Sequence, residues 1–377
     1  MLFPKELQCR YNLASSYLDT SSLQSSSSNF LTLLSRAKSI YSLQSFTPST
    51  LVNIPQPYPL IIQSTYSSLT SISLKSQSYS TALSYVKTSM ELSKKVDKED
   101  YFNYNLAMRG VGKIEEVVEE MWGILGGERR VKPTKAIGGT VVTYCCVKYG
   151  TKYGANYVNN LFNGLRRYNG ADVRLVCFTE DREGIDEDVE IVELPEKIFK
   201  RQRRDMCGWW YKAYIFSGAH NEELGESWED GWKVYIDLDS VILGGLREMV
   251  EGVDRLGVLD TEGMVNEDRK GGFNSSVVVW GGGMDGIYDG LVDEFEKVGR
   301  VIYKFDHWFE MCALGVEGVS VLRGVREFMS CRDGIFNNGR DEEGLEEAVG
   351  VGIVTFPLRP KPHECEEEWV RAAWDED

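Results

Sequence analysis

From residue 111 onward the apolar positions fall into regular periods. Ile114, Val117, Val118, Met121 and Leu125 recur at helical spacing, with Glu115, Glu116, Glu119 and Glu120 on the other face. The pattern predicts an amphipathic helix that Gly126 and Gly127 end. Residues 140–147 are a continuous β-rich run suited to a buried strand, and a helix is predicted over 154–168 with Tyr157, Leu161 and Leu165 on one side. Further strands are read at 173–178 and 189–194. A second set follows: a helix at 209–216, strands at 233–238, 256–259 and 275–280, helices at 287–298 and 307–314, short strands at 319–322 and 352–356, and a closing helix at 366–374. Strands and helices alternating in this way predict an α/β fold with a mixed, mostly parallel sheet. With no internal repeat, one domain over 136–377 is the economical reading, preceded over 96–135 by the amphipathic helix and a linker.

The first ninety residues have a different composition. They hold 23 serines, two acids, six bases and no glycine, whereas the other 287 residues hold all 37 glycines and 56 acids against 36 bases, a net −20. A serine-rich, acid-poor amino-terminal stretch predicts a targeting segment or a disordered tail over 1–95, or a start misplaced upstream of Met90 or Met108. The whole chain of 377 residues carries −16. An acid excess of that size argues against a nucleic-acid partner, which calls for a basic surface. No apolar run approaches the length of a membrane span. The eight cysteines have no C-x-x-C spacing, and Cys145, Cys146 and Cys177 sit inside strand-like runs, which favours a reducing compartment. The scattered histidines, His220, His307 and His363, offer no zinc spacing.

The sharpest local feature is the apolar strand that runs from Lys233 straight into Asp237 and Asp239. Residues two apart on an extended chain face the same way, so both carboxylates can converge at the carboxyl end of a strand, where α/β sheets bind ligands. Two carboxylates so close repel unless a cation lies between them, which points to Mg²⁺ or Mn²⁺ holding a diphosphate. Asp237, Asp239 and Val241 also fit the opening motif of a haloacid-dehalogenase-type phosphatase, with Asp237 as nucleophile and Asp239 as acid/base. Against that stand the hundred residues of α/β pattern before the motif and the closeness of the acid pair Asp285 and Asp289.

The order of the surrounding motifs raises the metal–diphosphate reading, with the phosphatase kept as the alternative. The motifs are residues 149–158 after the first strand, Cys177 to Asp181 after the second, Gly208-Trp-Trp-Tyr-Lys212, Tyr235 to Ser240, Phe273-Asn-Ser-Ser to Trp280, Asp306-His-Trp, and Phe356-Pro-Leu-Arg-Pro-Lys-Pro-His363. In this order they resemble a glycosyltransferase of the GT-A fold, similar to the glycogenin-like family and its bacterial relatives. The resemblance implies a Rossmann-like three-layer sandwich that binds a nucleoside-diphosphate sugar and transfers its sugar to a carbohydrate, lipid or protein hydroxyl with Mn²⁺ or Mg²⁺. It implies that Tyr149 and Asp181 line the nucleotide pocket, that Asp237 meets the ribose or metal, and that Asp239 ligates the metal. Lys212 and Lys361 would meet the diphosphate, Asn274 and Ser275 the donor sugar or acceptor, and Asp306 the sugar hydroxyls.

One departure stands out. The family's third metal ligand is a histidine where this chain has Thr355, and Leu358 replaces a family glycine, so His363 is the imidazole expected to complete the site. The same departure keeps a non-catalytic nucleotide-sugar-binding relative as an alternative. The resemblance leans towards retention of configuration. Golgi glycosyltransferases usually carry an amino-terminal anchor, so a cytosolic or organellar location is expected. Donor and acceptor choice would fall to the loops at 196–208 and 261–272, the first of which holds the basic cluster 200–204.

Overall fold

The computed structural model describes residues 11–374 apart from 13, 16–22, 41–42, 44, 53, 128–130, 139–140, 195–207, 263, 265–266, 270, 331–333 and 338–350. The basic cluster at 200–204 lies outside the described residues. The chain divides into two compact units, one of residues 1–124 with 300–303, the other of residues 125–299 with 304–377. No helix among the described residues is long and apolar enough to cross a membrane.

The first unit is helical. It holds α1 (Leu23–Ile40), α2 (Tyr58–Lys75), α3 (Tyr79–Leu92), α4 (Lys98–Gly110) and nearly all of α5 (Ile114–Leu125). Phe30, Leu33, Ala37, Ile62 and Leu69 form a buried core. The first three of these helices lie within the stretch whose composition offered a targeting segment, a disordered tail or a misplaced start. Serine and threonine are mediocre helix formers because their hydroxyls compete for the backbone. In this unit the hydroxyls bond back within the helix, Thr65 to the Ile61 carbonyl at 2.7 Å and Thr70 to the Tyr66 carbonyl at 2.9 Å, so they are buried without loss of partners. Asp97 caps α4 by accepting from the Glu99 and Asp100 amides. The amphipathic α5 groups with these helices rather than with the domain that follows, and Gly126 and Gly127, both at positive φ, end it as the sequence suggests.

The second unit is built on a seven-stranded sheet in the order β3-β2-β1-β4-β7-β6-β8. Its strands are β1 (Val142–Lys148), β2 (Arg174–Thr179), β3 (Glu190–Glu193), β4 (Trp232–Ile236), β6 (Leu256–Asp260), β7 (Phe273–Trp280) and β8 (Val319–Val321). β7 runs antiparallel to its neighbours β4 and β6, and the other pairings are parallel. This mixed, mostly parallel sheet with its helices is the architecture expected of the GT-A fold. Cys145 of β1 stands between Val176 and Tyr235 in register, and the run from Thr143 to Lys148 is wholly buried, which is why it reads as continuous rather than alternating. Helix α6 (Ala155–Asn169) buries Tyr157, Val158, Leu161, Phe162 and Leu165 in the same core.

A second, four-stranded sheet was not foreseen. Its order is β10 (Gly334–Asn337), β9 (Val325–Ser330), β11 (Ile353–Thr355) and β5 (Ser240–Ile242). These strands are mostly too short for period-two patterning to declare itself. The sheet matters because β5 leaves directly from Asp239, and β11 pairs with it antiparallel, Thr355 opposite Ser240.

Candidate functional site

In the large sheet the chain reverses its direction of travel across the strands at β1. From β1 the chain goes to β2 and β3 on one side, then returns to place β4 on the other side of β1. Such a switch point leaves a crevice beyond the carboxyl ends of the two strands, and that crevice is where open α/β sheets bind ligands. Tyr149 follows β1 there and Asp237 follows β4. The turn carrying Asp237 and Asp239 is pinned on both sides: the Asp237 amide donates to the Ser276 carbonyl of β7, and the Phe356 amide after β11 donates to the Asp239 carbonyl, both at 2.8 Å.

Each carboxylate has a lysine and a tyrosine. Lys212, in the 3-10 segment Gly208–Phe216, lies 2.7 Å from Asp237, and the Tyr235 hydroxyl donates to the same carboxylate at 2.6 Å. Lys361 lies 2.6 Å from Asp239, and Tyr153 donates to it at 2.8 Å. Lys361 is held in turn by the carbonyls of Phe356 and Pro357. Burial pushes the Asp237 carboxyl above its ordinary range against the pull of Lys212, and the charge of Asp239 adds to the rise. For Lys212 burial works against the charge, but Asp237 and Asp306 outweigh it and raise its pKa. Lys152 is a third cation at this place; burial and the charge of Lys361 lower its pKa, while Asp239 and Asp237 oppose the fall.

Lys212 continues the chain of contacts to Ser275 Oγ at 3.4 Å. The Ser275 amide donates to Asp306 Oδ1 at 3.0 Å, and its hydroxyl donates to the same oxygen. Asp306 lies in the first turn of α7 (Phe305–Ala313), where an acid often serves as a cap; here its carboxylate reaches across to β7 instead. Burial alone would raise this carboxyl, but Lys304 and Lys212, with the Ser275 hydrogen bond, hold it down at about 2.

The structure thus brings Lys212, Asp237, Asp239, Ser275, Asp306 and Lys361 into one connected group. The other expected residues stand around it. Tyr149 stacks on Tyr211, ring centres 5.2 Å apart and 19° from coplanar. Asp181 pairs with Lys148 at 3.3 Å and turns back to accept from the Glu183 amide, which with Lys148 lowers its pKa. The Asn274 side chain accepts from the Ser276 amide at 2.8 Å, so it braces its own strand. His363 Nδ1 is bonded to the Tyr157 hydroxyl, and its imidazole is about half exposed at 49%.

Among the described residues, no three histidine, cysteine or acid side chains are gathered so as to hold a metal ion. Asp237 and Asp239 are each engaged by an ammonium, and His363 by a phenol, so the expected trio does not form a donor set. Thr355, at the family's histidine position, is buried in β11 and bonds to the Arg326 carbonyl. The phosphatase alternative also lacks its acid pair: Asp285 acts on Lys233, at the far end of β4 from Asp237, and lies against Gly218.

Several contributors escaped the sequence reading. The Tyr235 hydroxyl was legible in principle, because Tyr235 and Asp237 are two apart on an extended chain and share a face. Tyr153, Lys152 and Lys304 carry no such local signal; only the tertiary fold brings them to the carboxylates.

Comparison with known proteins finds no matching family model and no matching curated protein. Solved structures do match. Mouse xyloside xylosyltransferase 1, in its apo form, is 14% identical with a TM-score of 0.35 over 57% of this chain and 96% of that one. The apo glycosyltransferase GlyE of Streptococcus pneumoniae TIGR4 is 14% identical with a TM-score of 0.39 over 62% of this chain and 60% of that one. Likenesses this slight carry no argument about function.

Proposed function

We propose that the chain is a glycosyltransferase that takes a sugar from a nucleoside-diphosphate donor to an acceptor hydroxyl. The observation that carries this reading is the pairing of Asp237 with Lys212 and of Asp239 with Lys361 at the switch-point crevice. A diphosphate entering the crevice competes for the ammonium groups of Lys212 and Lys361, with Lys152 beside them. Charge then accumulating on the leaving diphosphate is met by cations already in place, and preorganised charge of this kind is the main source of catalysis in such transfers. The acceptor oxygen forms the new bond to the anomeric carbon. The bond from that carbon to the diphosphate breaks with its electron pair going to the nucleoside diphosphate, and the hydroxyl proton leaves with it or to water.

A binding role without turnover is the second reading. It is favoured by Thr355 at the family's histidine position and by His363 being committed to Tyr157.

The test is a thermal-shift panel of nucleoside-diphosphate sugars with and without Mn²⁺, followed by a nucleoside-diphosphate release assay. A donor at a hundred times its Kd stabilises by about 2.7 kcal/mol, a rise of several degrees. Lys361→Met, which removes the ammonium facing Asp239, should lose the shift. If no donor shifts the wild-type chain, or if Lys361→Met retains full activity, the proposed site is wrong; a shift without nucleoside-diphosphate release selects the binding reading.

A further inference from the structure

Behind Asp306 lies an ion network that the sequence motifs do not mention. The connection between β6 and β7 spans residues 261–272 and includes Glu267 and Arg269, both buried, with the Arg269 side chain only 2% exposed. The Arg269 guanidinium reaches Glu310 of α7 with one nitrogen, and with the other it reaches Glu267 at 2.9 Å and the Phe273 carbonyl at 3.2 Å. Glu310, itself 1% exposed, also accepts from the Phe273 amide at 3.2 Å. Glu267 is bonded to Lys304, and Lys304 lies 3.5 Å from Asp306 Oδ2. Thr261 closes the base of the connection, accepting from the Gly272 amide at 2.8 Å and donating to the Arg269 carbonyl.

Two facts make this more than a stability feature. Ion pairs this deeply buried are a poor source of net stability, since desolvation consumes most of the attraction, and apolar residues of the same size would do as well. What they do supply is geometry: a planar guanidinium with carboxylates on two of its nitrogens fixes both partners in angle as well as distance. Both ends of the network arrive at the crevice. Glu310 is one turn along α7 from Asp306, and Phe273 is two residues before Ser275, the residue that holds Asp306 Oδ1.

We propose that Glu267, Arg269 and Glu310, acting through Lys304, are positioning residues that set Asp306 against Ser275 for the sugar portion of the donor. This rests on the donor reading above. The nucleotide and diphosphate are left to Lys212, Lys361 and the aromatic residues, so the network governs discrimination between a sugar-bearing donor and its bare nucleoside diphosphate.

The test is calorimetric binding of UDP-glucose against UDP, and of GDP-mannose against GDP, to the full chain. Lys304→Met, Arg269→Lys and Glu310→Gln should each keep the affinity for the bare diphosphate within about twofold and lose about tenfold or more of the affinity for the sugar-bearing form. Lys304→Arg should restore most of it. Lys304 is 24% exposed, so its replacement leaves the buried Arg269–Glu310 pair intact and serves if the Arg269 variant does not fold. A purely structural role would lower the melting temperature and leave the ratio of the two affinities unchanged; that result in folded Lys304→Met overturns the inference while the donor reading stands. A wild-type chain that binds none of the four ligands overturns both.

Discussion

Asp306→Asn isolates the charge at the centre of the site. The folded carboxyl is held at about 2 against an ordinary 3.8. A group whose folded pKa is depressed stabilises the native state above its unfolded pKa and loses that contribution as pH falls towards the folded value. The difference corresponds to about 2 kcal/mol at neutral pH, about 1 kcal/mol at pH 3, and almost nothing below pH 2. Asparagine keeps the shape but not the charge, so the gap in stability between wild type and variant should be about 2 kcal/mol at pH 7 and close by roughly half at pH 3. Urea unfolding followed by tryptophan fluorescence suits the measurement, because eight of the nine tryptophans lie in the second unit and Trp308 is two residues from the substitution. Asp237, whose pKa moves the opposite way, drops out because the variant and wild type share it. A gap that stays constant from pH 7 to pH 3 would refute the claim that Lys304 and Lys212 hold this carboxyl ionised.

Three further outcomes are expected. Gly272→Ala would place a Cβ 2.6 Å from Glu310 Oε2 and 3.1 Å from Thr261 Oγ1, both fixed by partners, and should cost about 1–3 kcal/mol in the same urea assay; a neutral effect would show that the connection has slack. Leu33→Ala, fully buried in the helical unit, should lose about 2–5 kcal/mol from a transition seen by far-ultraviolet circular dichroism and leave the tryptophan transition in place. Tyr153→Phe takes one hydrogen bond from Asp239 and should destabilise the second unit by about 1–2 kcal/mol; no change would mean that Lys361 alone suffices for the carboxylate.

The legible part of this protein was the part where each element buries a regular face. Strand β1 was visible as an unbroken apolar run, helix α6 because it keeps one period from end to end, and the Asp237–Asp239 turn because an apolar strand runs into two acids. The helical unit was hidden by its serines: composition weighs them as solvent-seeking, whereas Thr65, Thr70 and Ser89 are buried with their hydroxyls bonded. Of the small sheet only β11 was read, as the short strand at 352–356; β5, with three residues, is too short for any period, and nothing local tells which strands pair. Around the site, the residues read from the Asp-x-Asp turn and the lysines came together, but His363 did not join them. Its position two residues beyond Lys361 says nothing about Tyr157, 206 residues away in the chain, which claims its ring nitrogen.

The crevice also sets how a charged ligand arrives. Its cations are internal, the side chains of Lys212 and Lys361 being 14% and 12% exposed and each already facing a carboxylate, while residues 91–377 carry a net −20. From beyond one Debye length, roughly 8 Å in physiological salt, an approaching diphosphate meets repulsion; attraction begins only once it is inside. Added salt therefore speeds its association, the reverse of the salt law for proteins that gather phosphate on a basic face. Entry also proceeds by ion exchange, each ammonium turning from its aspartate to the incoming phosphate.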